Sequence, residues 1–306
     1  MKLTLKVSIF ALIIVTACET KNQESKPTTN KPIELVETPK TFDYQPQSPI
    51  NGELNAVIEL GSLGLNYFII DIDRKGRWIL KGQKFGRSNI IYGADTSNEI
   101  IGNIMRFKEE IIGLGVDESK IFLVASSSVV ENNNINLIEA ISNVGIPLKT
   151  VSPEEEAKYA MIATIPREFV DESFLVDIGS GKTKISWVND ADTSTIEIYG
   201  SKYFLDDVQD TTVFREVRNA LLKVPEENRN LCFMLGGIVY EFSKAEVSNT
   251  NRRYHVMSNP DEYPTYNEKF KAGRVIYNAL YLPSTYSYIF DSYSNFSIGY
   301  LVSQKK

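Results

Sequence analysis

A chain of 306 residues with 42% hydrophobic and 24% charged side chains has the composition of a globular protein, with room for two domains of roughly 120 to 150 residues. Its net charge of -6, with no basic block, excludes nucleic acid as the expected main partner, so any anion site has to be built locally.

Residues 1–18 read as a leader rather than as fold: Lys2 and Lys6 give a cationic start, Val7 to Val15 an apolar core, and Thr16-Ala17 small residues before a cysteine. The segment is short for a membrane span. Val15-Thr16-Ala17-Cys18 resembles the bacterial lipobox, which implies acylation of Cys18 and a lipid-anchored, extracytoplasmic place in the cell envelope; an ordinary secretory signal with an incidental cysteine is the alternative. Loss of residues 1–17 would take two lysines and move the net charge to -8. Residues 19–52, polar and punctuated by Pro27, Pro32, Pro39, Pro46 and Pro49, predict a disordered tether, because so little apolar surface cannot offset the entropy of ordering.

The first domain is expected over 53–172. Leu54 to Leu60, Asn66 to Asp73 and Arg77 to Lys84 predict three strands in a meander. Ile100, Ile104, Phe107, Ile111 and Leu114 recur at helical spacing and predict a helix over 97–114. A short buried strand, Ile121 to Ala125, runs into Ser126-Ser127-Ser128, and Ile135, Ile138 and Ile141 mark a second helix stopped near Gly145 and Pro147. After an extended stretch at Thr150 to Ser152, Ser152 caps a third helix with Pro153 in its first turn and Glu154, Glu155 and Glu156 where the helix dipole favours acids.

The second domain, 173–306, repeats the plan with a meander from Ser173 to Tyr199 and a helix over 203–222 carried by Phe204, Val208, Phe214, Val217 and Leu221. Cys232 to Leu235 reads as a strand ending in Gly236-Gly237, with a helix at Val239 to Phe242. Asn249 to Phe270 reads as an insertion or mobile surface, Glu268 to Tyr281 as a helix, and the tail to Gln304 as amphipathic. Cys232 is expected to be a buried, inert thiol, and His255, with no partner at ligand spacing, an exposed side chain without a role.

The stretch that organises the chain is Asp177-Ile178-Gly179-Ser180-Gly181-Lys182-Thr183, a strand end whose acid is followed by glycines. Successive amides in such a turn form an anion-binding nest, and a nest beside a carboxylate suits phosphate with a metal ion. It is not a P-loop, because Val176 stands where the leading glycine is required. The motif occurs twice: Val57-Ile58-Glu59-Leu60-Gly61-Ser62 has the same order, with the two acids 118 residues apart. Two duplicated α/β domains facing each other would place Glu59 and Asp177 on opposite walls of one cleft, with Gly236-Gly237 as a third turn on the ligand.

Together with Ser152-Pro153-Glu154-Glu155-Glu156-Ala157, these motifs follow the order and spacing of the exopolyphosphatase and guanosine pentaphosphate phosphohydrolase (Ppx/GppA) family, which the chain resembles from about Leu54 to Gly299. The resemblance implies two duplicated ribonuclease-H-like domains of the actin-like ATPase type and hydrolysis of polyphosphate or a polyphosphorylated nucleotide. By that resemblance Glu156 is the base acting on water, Glu59 and Asp177 hold Mg²⁺ or Mn²⁺, and Gly61, Ser62, Gly179, Ser180, Gly181, Lys182 and Thr183 form the phosphate-binding turns; hard oxygen donors suit these ions over zinc. The chain departs from the family pattern at Glu59 (Asp), Pro153 (Gly), Ser180 (Gly), Lys182 (Ser), Lys184 (Glu) and Val130 (Arg). The alternative is therefore a binding lipoprotein of the same fold without catalysis; a filament-forming relative is disfavoured by the short body.

Overall fold

The computed structural model describes residues 41–61, 64–88, 96–131, 135–189, 192–244 and 252–305. The leader with Cys18, and the tether up to residue 40, lie outside them, as does Ser62.

Strands β1 (Glu53–Leu60), β2 (Gly64–Ile72) and β3 (Trp78–Arg87) form an antiparallel meander. Helix α1 (Ser97–Gly113) starts at a Thr96/Glu99 capping box and buries Ile100, Ile104, Phe107 and Ile111, as their spacing predicts, whereas Leu114 is the C-cap and is exposed. The chain returns as β4 (Ile121–Ala125), parallel to β1, passes through α2 (Ser127–Glu131) and α3 (Ile135–Ser142), and adds β5 (Leu148–Thr150) beside β4. Helix α4 (Pro153–Thr164) leads to the second meander: β6 (Ser173–Ile178), β7 (Lys182–Asn189) and β8 (Asp192–Tyr199). Then come α5 (Asp210–Leu221), β9 (Leu231–Leu235), α6 (Gly237–Ser243), β10 (Tyr254–Val256), α7 (Glu268–Leu280), β11 (Ser287–Asp291) and α8 (Phe296–Ser303).

The first sheet has the order β3-β2-β1-β4-β5, and the second, read from the same end, β8-β7-β6-β9-β11 with β10 added at the far edge. The two sheets thus match strand for strand, which is the duplication expected from the repeated corner. Alternation along the strands sorts the side chains into layers. Ala56, Ile58 and Leu60 of β1 pack outward against α1, while Phe174, Val176 and Ile178 of β6 pack outward against α5 and α7. Val57 and Leu175 point the other way, into a middle core shared by both sheets with Ala160 and Met161 of α4 and Phe296, Ile298 and Leu301 of α8. Glu59 and Asp177, two residues further along their strands, inherit that inward direction. At the crossing of α4 and α8 a Cβ on Gly299 would overlap the Tyr159 carbonyl, so only glycine permits this approach.

Several expectations need correction. The tether does not run loose to Gly52: Phe42 is buried in an aromatic cluster with Phe169, Phe233 and Tyr254, and Arg252 hydrogen-bonds the Phe42 carbonyl and Asp43. Burial of one phenylalanine contributes about 1.5–3 kcal/mol, enough to dock so short a segment. The helix expected over 203–222 is two pieces, a 3₁₀ turn at Tyr203–Asp206 and α5, separated by left-handed Asp207; Phe214 faces solvent. The stretch read as a mobile surface contributes an edge strand, β10, in which His255 is half-buried and stacks on Phe290. The tail holds β11, every residue of which is buried. Its neighbours Tyr286 and Tyr293 blur the boundary of a five-residue strand, which is why the run reads as amphipathic. Cys232 is buried as expected, and burial pushes its thiol pKa up. No helix among the described residues is long and apolar enough to cross a membrane.

Candidate active-site cleft

A cleft of about 500 Å³ opens where the two inner faces meet. Glu59, Gly61, Glu156, Asp177, the turn 179–182, Gly236 and Gly237 all line it, so nearly every residue singled out from the sequence is gathered in one place. The two corners share a closing hydrogen bond: the Gly61 amide donates to the Gly64 carbonyl at 2.7 Å and the Gly179 amide to the Lys182 carbonyl at 3.0 Å. Around the second turn the carbonyls of Gly179, Ser180 and Gly181 accept from Ser201, Lys202 and Gly200. The amides of Ser180 and Gly181 donate to no backbone carbonyl among the described residues and so are donors a ligand could use.

Thr183 is not part of the site. It stands on β7 in line with Ile185 and Trp187, which face the outer core, and its hydroxyl is buried without a hydrogen-bond partner among the described residues. Val130 is exposed on α2, away from the cleft. Gly236 has φ 110°, and a Cβ there would overlap the Ile178 backbone; the packing of β9 on β6 accounts for this glycine before any ligand is considered.

The three glutamates at the start of α4 divide their work. Glu155 completes a capping box with Ser152 and pairs with Lys149 at 2.6 Å, and Glu154 accepts from the Ser152 hydroxyl. Glu156 alone turns into the cleft. Its Oε2 accepts from the Ser127 amide at 2.9 Å and the Ser127 hydroxyl at 2.6 Å, and its Oε1 from Lys184 Nζ at 2.8 Å. Glu59, 8% exposed, accepts from Asn66 at 3.4 Å on Oε1, and from Asn295 at 2.5 Å and Ser297 at 3.1 Å on Oε2. Burial nevertheless pushes its pKa up to about 7, against the pull of those donors. Asp177 is pushed up to about 6 by burial, with Lys184 opposing and Glu156 reinforcing the shift.

Lys184 is the cleft residue that sequence reasoning undervalued. It stands directly across from Asp177 in the β6–β7 pairing and from Glu197 in the β7–β8 pairing, with Nζ 3.6 Å from Glu197 and 3.4 Å from the Ser127 hydroxyl. Burial disfavours its ammonium, but the charges of Glu156, Asp177 and Glu197 outweigh that and raise its pKa. Counting strand positions on either side of the Gly179–Gly181 turn pairs Lys184 with Asp177, a signal present in the sequence. Ser127 and Asn295 carry no such local signal.

Solved structures decide what this arrangement is built on. The Aquifex aeolicus Ppx/GppA phosphatase, type II variant, superimposes with a TM-score of 0.65 at 17% identity over 82% of this chain and 99% of that one. An exopolyphosphatase from Cytophaga hutchinsonii gives 0.63 at 14% identity over 83% and 98%. The fold is that of the Ppx/GppA phosphatases. No family model matches the sequence, and no curated protein matches it either.

A divalent cation, which Ppx/GppA proteins generally use, has to find its oxygen ligands here. Mg²⁺ is commonly held by one or two carboxylates together with substrate phosphates. Among the described residues no three His, Cys, Asp or Glu side chains converge on one point. Glu59 accepts from three donors and Glu156 from three more, which leaves Asp177 as the carboxylate with no hydrogen-bonded side chain among the described residues, beside an ammonium. The described side chains thus make no closed cage for a resident divalent cation, and Asp177, opposite Lys184, is the carboxylate that a cation arriving with phosphate would meet.

Proposed function

We propose that this chain binds a phosphate chain, polyphosphate or a polyphosphorylated nucleotide, in the cleft between its two sheets, as a lipid-anchored binding protein of the cell envelope. The observation that carries this reading is the state of Glu156: both of its oxygens are engaged, one by Lys184 and the other twice by Ser127. A general base has to receive a proton from water, and a carboxylate held by an ammonium and two further donors is poorly placed to do so. The Ser180 and Gly181 amides and the Lys182 and Lys184 ammonium groups are binding elements for phosphoryl oxygens, and binding needs no more than these.

Hydrolysis of a phosphoanhydride is the second reading, favoured by one observation: Glu156 lines the same cleft as Asp177 and the phosphate turn. Calorimetry of the full chain with polyphosphate, alongside phosphate release in Mg²⁺, separates the two. Binding with phosphate release equal to that of Asp177→Ala supports the binding protein; release that Asp177→Ala abolishes supports the hydrolase. The address is tested independently: Cys18→Ser should abolish incorporation of labelled palmitate and release the protein from the membrane fraction.

A further inference from the structure

We propose that Lys184 is a resident counter-ion of this cleft, standing in for a divalent cation, so that a chain of phosphates is bound there without Mg²⁺. The inference rests on the reading that the cleft takes a phosphate chain, and adds how the charge of that chain is met.

Four carboxylates line the cleft, on Glu59, Glu156, Asp177 and Glu197, against two ammonium groups, on Lys182 and Lys184. A polyanion entering among carboxylates alone would be repelled, and proteins of such design meet the problem with a metal ion. Here the positive charge at the centre of the acids is covalently part of β7. Lys184 forms ion pairs with Glu156 at 2.8 Å and Glu197 at 3.6 Å and lies opposite Asp177 in the sheet, so one ammonium is shared by three acids.

Two features separate this lysine from an ordinary surface cation. It is 8% exposed on a strand paired on both sides, so its position is set before any ligand arrives and little side-chain entropy is left to lose. An ammonium also has three N–H donors. One is spent on Glu156 and a second reaches the Ser127 hydroxyl at 3.4 Å, whereas Glu197, at 3.6 Å, lies beyond hydrogen-bond distance. Among the described residues the third donor has no hydrogen-bond partner and is available to a phosphoryl oxygen. Unlike a divalent ion, an ammonium cannot ligate water and lower its pKa, which agrees with a cleft built for binding.

The test uses the full chain and sodium tripolyphosphate, titrated by calorimetry in EDTA and again with excess Mg²⁺. Wild type should bind in both buffers with affinities within about threefold of each other, and Lys184→Arg, which keeps the charge, should behave similarly. Lys184→Gln should lose at least about tenfold in EDTA and recover most of that loss in Mg²⁺. Because Lys184→Gln leaves half-buried Glu156 without its ammonium, the double variant Lys184→Gln/Glu156→Gln is measured beside it, with far-UV circular dichroism to establish folding. The double variant should show the same loss in EDTA. Wild-type binding that requires Mg²⁺, or a folded double variant that binds normally in EDTA, overturns the inference and leaves the phosphate-chain reading standing. No binding by wild type in either buffer takes down both.

Discussion

The two acid-glycine corners occupy matching places in the two sheets, and their acids meet different partners. In the first, Glu59 faces Asn66 across the β1–β2 pairing and collects two further donors, Asn295 and Ser297, from the start of α8. In the second, Asp177 faces Lys184 across the equivalent β6–β7 pairing, and no side chain among the described residues hydrogen-bonds its carboxylate. One acid thus ties the C-terminal helix to the first sheet, while the other is left for a ligand beside a cation. A repeated motif fixes where an acid is placed. The residue opposite it in the sheet decides what the acid does.

The largest expected effect comes from removing the cation of the second corner. Lys184→Met leaves the half-buried carboxylate of Glu156 without its ammonium and should destabilise the chain by up to about 3–5 kcal/mol, with Lys184→Met/Glu156→Gln recovering most of it in denaturant titrations. A single variant as stable as wild type would mean that the ion pair is dispensable and the contrast between the corners merely geometric.

The pH dependence of stability distinguishes the corners next. Burial moves Glu59 from 4.5 to about 7 and Asp177 from 3.8 to about 6. The folded chain therefore keeps protons that the unfolded chain releases in those windows. This contribution to stability is complete below the lower limits and disappears as pH climbs to about 7. For Glu59 the loss should be of order 3 kcal/mol. Thermal melts across the window should show stability falling as pH rises, with Glu59→Gln flattening much of the slope; an unchanged slope in that variant would remove Glu59 as its source.

A smaller effect sharpens the structural role of the first corner. Asn295→Ala removes the shortest donor to Glu59 and should cost about 1–3 kcal/mol, with protonation of Glu59 shifted to still higher pH because the charged form has lost a partner. Carbon-13 NMR of the Glu59 carboxyl reads that shift directly; movement to lower pH would contradict the role assigned to Asn295.

Much of this plan could be read from residues adjacent in the chain. The strands of both meanders, the capped helix α4 and the repeated corner announce themselves through alternation, capping residues and glycine, all interactions within a few residues. Thr183 misled because the motif groups it with the turn, whereas strand pairing sets it opposite Ile178 and so on the outer face. The tail misled because β11 is held by β9 and β10 rather than by its own periodicity.

Local chemistry and duplication were therefore enough to specify two like sheets and the list of acids and glycines at their ends, since strand alternation and turn geometry depend on neighbours in sequence. Folding in three dimensions decided which partner each acid received: Asn295 reaches Glu59 across 236 positions of chain, and Lys184 reaches Glu156 from the other sheet's strand. Hydrogen bonds and ion pairs act over a few ångströms of space whatever the separation along the chain, and those contacts distinguish an acid tied by hydrogen bonds from one open to a ligand.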